Sequence, residues 1–266
     1  MSEAQRDVRL QEIAAWENQF FLAKTNERAP YEQWLEQVTK QLDEEKKQRF
    51  FAYLDDVVFR LHAAVMHSKA FDEAHRRIVQ TARIFEPTIR EIDDFKKLPL
   101  ETADFIAEQM MAKQRLLAFG QGSLTGVGGL FFLALDLPVL AAIQLQSLQQ
   151  LALIYGFDPR RAEETEAILK IFHLATLPKR DQRRYWDMLW NDLNRNDFSG
   201  FAEQSLEWLL KQIAKSLAIT FLRKKLIQGV PFLGIAVGAG MNYRFAKEGI
   251  ELGQRFYQKR KLLNEN

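Results

Sequence analysis

No cysteine occurs in the chain, so neither a disulfide nor a thiolate metal site is open to it, and a reducing compartment suits it. Only seven prolines are spread over 266 residues, and alternating runs of Val, Ile and Thr are missing, which argues against a strand-rich fold. The N-terminus mixes acids and bases and lacks the basic flank and apolar core of a secretory signal, so a cytoplasmic protein is expected. Charge is missing too. Between Leu116 and Phe157, 42 residues carry a single charged side chain, Asp136. At the chain-wide 27% charged residues, such a window holds about eleven. The segment is therefore hidden from water by protein, lipid or both.

What is present points to helices. Hydrophobic residues make up 47% of the chain, enough for a substantial core, and they recur at spacings of three and four. The expectation is an all-α, single-domain, multi-helix bundle over residues 1–266, since no linker rich in Gly, Ser or Pro interrupts it. Val8, Ile13, Trp16, Phe20 and Phe21 line a first helix. Further helices are predicted over 31–43, 50–65, 72–85 and 100–118. Asp158-Pro159 reads as an N-cap followed by a first-turn proline, opening a helix to about Leu177. Pro178 opens the next, to about Asn194; another runs from about Gly200 to Ile227, and the last from Pro231 to about Leu263.

Glycine is clustered. Five of thirteen fall between Gly120 and Gly129 and four between Gly229 and Gly240. Gly122-xxx-Gly126 and Gly234-xxx-Gly238 have the spacing that lets helix backbones approach closely. A central glycine-rich apolar hairpin, packed on the second cluster, is therefore expected. Charge is also unevenly spread: residues 1–119 balance at −3 and residues 120–266 at +5. The late surplus lies in Lys179, Arg180, Arg183 and Arg184, in Arg223, Lys224 and Lys225, and in Lys259, Arg260 and Lys261. Each cluster alone reads first as a solvated helix face; together they suit phosphates of anionic lipid headgroups.

Several superficial motifs carry little. The glycines from Gly120 follow a charged helix rather than a strand, and no Gly-Lys-Ser/Thr makes a phosphate loop. Asp72-Glu73-Ala74-His75 spells a helicase tetrapeptide without its companion motif. Asp72-x-x-His75 has di-iron ligand spacing but no second copy, and His62 and His67 point to different helix faces, so no metal is expected. Ser123 is not in a Gly-x-Ser-x-Gly elbow, because residue 121 is Gln. No cofactor is expected. Nucleic-acid binding is not expected either, since aromatic residues do not interleave with the basic clusters.

Asp136 has two readings. Helix-start rules make it a cap, with Ala134-Leu135 closing one helix and Pro138 in the first turn of the next. Otherwise it is a buried carboxylate with a raised pKa, or one paired with a base such as Arg244. Residues 127–145 approach the roughly twenty residues that span a bilayer, but a central Asp costs about 2.5–3.5 kcal/mol on insertion, and glutamines follow. A hairpin in the protein core, or one dipped into a single leaflet, fits better than a span.

Taken together, Thr125-Gly126-Val127-Gly128-Gly129, Asp136-Leu137-Pro138, Tyr155-Gly156-Phe157-Asp158-Pro159 and Val230-Pro231-Phe232-Leu233-Gly234 with Gly238, Asn242 and Ala246 resemble the EcsC family of bacterial proteins. The resemblance covers about residues 99–260, with a more variable helical N-terminus (1–98) in which Trp16 is a weaker marker. It implies a helical accessory protein linked to an ABC transporter and to protein secretion, and it brings no catalytic residues. The expectation is a non-catalytic protein peripheral to the inner face of the cell membrane, bound to an anionic surface or a membrane complex. The alternative is a hydrolase or binding protein for a lipid or hydrophobic peptide, using a pocket near Asp136 and Asn242.

Overall fold

A computed structural model describes residues 2–22, 69–125, 129–194, 203–226 and 234–264, with Glu45, Gln48, Ala52, Asp56, Val57 and Leu61; for residues 69–70, 121–125, 129–138, 194, 203–205, 218–226 and 234–242 it describes the backbone alone. Among the described residues the chain is all-α. The helices are α1 (Glu3–Phe21), α2 (Lys69–Phe85), α3 (Leu100–Thr125), α4 (Gly129–Ile154), α5 (Ala162–Thr176), α6 (Lys179–Asn194), α7 (Glu203–Leu226) and α8 (Gly234–Asn264), with one 3-10 turn at Ile92–Lys97.

The long helices α3, α4 and α8 form the centre. α8 lies along α3 and against α4, α5 packs on α4, α7 and α8, α1 rests on α6 and α8, and α2 covers α3 and α4. Each outer helix is shaped by its pattern. On α2, Ala74, Ile78 and Ala82 recur every four residues and are buried, with Arg76 and Arg77 outside. On α6, Trp186 and Leu189 face inward, while Arg183, Arg184 and Asp187 face water. The first turn of α1 is a capping box, in which Ser2 Oγ accepts from Gln5 N and Gln5 Oε1 accepts from Ser2 N.

From Leu140 to Ile154, α4 is buried or half-buried on every side, glutamines included. That explains the second half of the charge gap: protein hides it. The predicted break at Asp136 is not there. α4 runs unbroken from Gly129 to Ile154, so Asp136 and Pro138 lie inside it and Asp136 caps nothing. Pro138 brings no N–H to the Ala134 carbonyl, at a cost of up to about 3 kcal/mol, and the packing of α4 from Leu140 onward outweighs it.

A second boundary also moves. α5 begins at Ala162 rather than at Pro159, with Arg161 in the cap position. Asp158 spends its carboxylate on the turn before it, where Oδ1 accepts from Arg160 N at 3.0 Å. The helices predicted over 31–43 and most of 50–65 lie outside the described residues, although Val57 and Leu61 are both buried in the core.

Close packing of α4 on α8 depends on a glycine pair outside both clusters. A Cβ at Gly249 would overlap the Gln144 side chain, and one at Gly253 would overlap Leu148. Gly249-xxx-Gly253 therefore faces Gln144-xxx-Leu148, a small-residue seam one turn per side. The predicted seam at Gly122, Gly126, Gly234 and Gly238 lies outside the described side chains.

Candidate functional site

The corner after α4 gathers the most specific part of the sequence. Gly156 N donates to Leu153 O at 3.0 Å and Phe157 N to Ala152 O at 2.8 Å, the two bonds that close a helix with a left-handed residue. Gly156 supplies that residue, with φ of 90°. Its missing Cβ also makes room, since one there would stand 2.8 Å from the Lys96 nitrogen. The corner thus packs directly on the 3-10 turn. α8 reaches the same turn, where the buried Lys261 Nζ donates to the carbonyls of Phe95 and Lys96 at 3.2 and 3.1 Å.

Two carboxylates, the half-buried Asp104 and the buried Glu164, sit below this corner, each bound to a tyrosine. Tyr155 OH and Gln258 Nε2 donate to Asp104 Oδ1 at 2.7 and 2.8 Å, and the Arg9 guanidinium stands 3.7 Å from Oδ2. Tyr257 OH and Arg260 Nη1 donate to the two oxygens of Glu164, both at 2.6 Å. The tyrosine rings stack 6.5 Å apart. Burial raises the pKa of both carboxyls, against the pull of their donors, and pushes both phenols up.

Above them opens a polar cleft of about 980 Å³, with Arg90, Lys96, Arg160, Arg161 and Arg260 set among Glu91, Asp93, Asp158, Glu163 and Glu164. Its charges largely answer one another: Arg160 pairs with Asp158 at 3.0 Å, Lys96 with Asp93 at 2.7 Å, and Arg260 lies over the Phe157 ring. Such a site holds the ends of α4, α5 and α8 in register. Among its described lining residues there is no Ser, Thr or Cys. The other catalytic-looking set, Ser216 Oγ 3.4 Å from His173 Nε2 with Tyr185 OH 3.2 Å from Nδ1, is sealed, with Ser216 2% and His173 8% exposed.

The C-terminal basic triplet is engaged within the protein, with Lys261 buried and Lys259 and Arg260 half-buried. Besides Lys261 and Arg260, Lys259 donates to Glu17 at 2.7 Å and lies over Trp190. These three residues tie α8 to α1, α5 and the 3-10 turn. In the α6 cluster, Lys179 pairs with Glu248, Arg180 with Asp181 and Arg183 with Asp187, and Arg184 is exposed. α7 carries Arg223, Lys224 and Lys225 near its end, with their side chains outside the description.

Of the other expected residues, Thr125, Gly129, Asp136, Pro138, Gly234, Gly238 and Asn242 are helical, and Gly126, Gly128 and Pro231 lie outside the described residues. The structure brings together Tyr155, Gly156 and Arg260. Asp104 and Glu164 carried no distinguishing signal in the sequence, each being one of several acids on its helix. Trp16 earns its place as an N-terminal marker: its Nε1 donates to Glu251 Oε1 at 2.6 Å, and its ring packs on Phe20, Phe21 and Trp186.

Large apolar side chains are exposed at several places, Ile84, Phe85 and Phe105 among them, and one such group borders the charge-free stretch. At the end of α3, Leu116, Leu117 and Phe119 are 67%, 51% and 47% exposed. Phe119 meets Tyr243 of α8 edge-on, with ring centroids 6.4 Å apart. Residues 126–128 lead from α3 directly to α4, and residues 227–233 from α7 to α8. The end of α3 and the start of α4 therefore lie beside the early turns of α8, to which α7 leads.

Comparison with known proteins places these features in a family. The EcsC protein family matches residues 7–262, a wider span than the motifs alone marked out. The chain is 32% identical over 189 residues to an uncharacterized protein of Bacillus subtilis (strain 168), YdbA, covering 69% of each chain. It is 27% identical over 172 residues to Protein EcsC of the same organism, covering 65% of this chain and 69% of that one. No solved structure matches. With the family match running through nearly all of its helices, the chain belongs to the EcsC protein family.

Proposed function

We propose that this protein is a non-catalytic accessory factor that docks on the anionic inner face of the cell membrane through the apolar end of α3 and its basic surroundings. The observation that carries the reading is the exposure of Leu116, Leu117 and Phe119 at the start of the charge-free stretch. Large side chains so exposed and contiguous mark a contact surface. Sequence around that end supplies the complement. Residues 109–135 contain Lys113 and Arg115 and no acid; residues 212–247 contain Lys215, Arg223, Lys224, Lys225, Arg244 and Lys247 and no acid.

Magnitudes support shallow binding. Burying the exposed parts of three such side chains is worth about 3 kcal/mol, and each cation near an anionic surface adds about 1 kcal/mol. Among the described residues no helix is long and apolar enough to cross a membrane. The contact proposed is therefore peripheral. Its partner would be the lipid surface together with a membrane complex, such as the ABC transporter or secretion machinery that the family resemblance implies.

Cell fractionation tests this reading. A sizeable share of the native protein should sediment with membranes at low salt and be largely released at high salt, as the cation terms are screened. A protein wholly soluble under both conditions contradicts it.

A further inference from the structure

Contacts between the central helices fix their relative heights. Gln258 donates to Asp104 and Tyr243 meets Phe119, fifteen residues back along α8 matching fifteen on along α3, so these two helices run antiparallel. A Cβ at Gly249 would overlap Gln144 and one at Gly253 would overlap Leu148, so α4 and α8 run parallel. This register puts Val139 of α4 level with Arg244 of α8, and Leu116, Leu117 and Phe119 of α3 within a turn of the same height. All four apolar side chains are at least 39% exposed. They share one height on the bundle although they come from two helices.

Charge is sorted by the same heights. Lys113, Arg115, Arg244 and Lys247 lie within about 9 Å behind Phe119 and Tyr243 along the helix axes. The one acid in that span of α3, α4 and α8, Glu248, is taken by Lys179 at 2.9 Å. Ahead of Tyr243, α4 and α8 begin together, with Gly129 level with Gly234, and α3 ends beside them at Thr125. Residues 120–125, 129–137 and 234–242 of these helix ends hold one charged residue, Asp136, about 3 Å ahead of Tyr243.

We infer that the protein meets the membrane end-on: the shared end of α3, α4 and α8 enters one leaflet, with Asp136 and the four cations left among anionic headgroups. This deepens the membrane reading and rests on it. Charge complementarity selects a leaflet as the occupant, because a basic belt backs an uncharged end. From Tyr243 to Gly234 the end is about 13 Å long, less than the roughly 15 Å of hydrocarbon in half a bilayer. It reaches in without crossing. The carbonyl end of α3 stands beside the amide ends of α4 and α8, so opposite helix dipoles adjoin and lessen the cost of placing helix ends in lipid. Phe105, also exposed, lies about 21 Å behind Phe119 on the same helix and stays in water. A protein lying flat along α3 would bury Phe105 together with Phe119.

Because the chain has no cysteine, a single one can be placed at each height and labelled with nitrobenzoxadiazole. Leu130→Cys and Ile235→Cys mark the end on two helices, and Phe105→Cys marks the flank. On phosphatidylglycerol and phosphatidylcholine vesicles carrying doxyl-labelled lipid, emission from 130 and 235 should fall at least about twofold, and that from 105 by less than about a tenth. Two end positions guard against a substitution that disturbs folding, which circular dichroism detects. Chains that float yet are quenched no more at 130 and 235 than at 105 overturn the end-on inference and leave the membrane reading standing. No flotation of any labelled chain overturns both.

Discussion

Gly156 holds a position that no other residue fills. Its φ of 90° is in the region where L side chains are strained, and the Lys96 backbone occupies the place of a Cβ. Gly156→Ala is therefore expected to lower the unfolding free energy by at least about 2 kcal/mol, since strain and backbone overlap add. Urea unfolding measures it, and a change below about 0.5 kcal/mol would mean that the corner adapts freely. His173 works through solvation. Burial holds its pKa down at about 4, against about 6.5 in the unfolded chain. The unfolded state takes up the proton first, so the contribution is complete above pH 6.5 and is lost as pH falls from 6.5 to 4. Its size is up to about 3 kcal/mol. Asp104 and Glu164, with raised pKa values, act in the opposite sense, so the difference between wild type and His173→Gln isolates the histidine. That difference should shrink by a few kcal/mol between pH 7 and pH 4.5 in urea titrations; a constant difference contradicts the assignment.

For the elements, glycine spacing carried information that only packing could rank. Gly249 and Gly253 set the approach of α8 to Gln144 and Leu148, whereas a Cβ at Gly120 would meet nothing within 4 Å. Gly249→Ala should cost about 1–3 kcal/mol through overpacking, because Gln144 is wholly buried and has no room to turn. Gly120→Ala should instead be neutral or stabilise by about 0.5–1 kcal/mol, as alanine does in a helix interior. Thermal melts of both variants give the test, and equal shifts would contradict the seam. The sequence made the helices around Trp186, Ile78 and Phe256 legible because their apolar spacing is regular. It misread Asp136-x-Pro138 and Asp158-Pro159 because local start rules favour a cap at both. Tertiary packing carries α4 through the first, and a side-chain turn absorbs the second.

Over the whole molecule, the same basic residues that looked like one surface separate into two roles. Lys259, Arg260 and Lys261 are structural, each bonded to a different neighbour of α8. Charge counting could not tell them from Lys113, Arg115, Arg244 or Lys247, since pairing depends on acids such as Glu17 and Glu164 that are far away in sequence. The 42-residue gap separates likewise. From Leu140 it is core, hidden by α3, α5 and α8, while Leu116, Leu117 and Phe119 at its beginning stand in solvent. Uncharged chain avoids water, so the three exposed side chains at its beginning ask for a partner.

Flotation with vesicles tests that partner most directly. The wild-type chain should float with vesicles containing phosphatidylglycerol and less with neutral phosphatidylcholine. Leu116→Glu combined with Phe119→Glu, which spares the fully buried residues and loses only the edge contact with Tyr243, should lower binding at least tenfold with the protein still folding cooperatively in a thermal melt. Equal flotation of wild type and double variant, or no flotation of the wild type on anionic vesicles, would contradict the account.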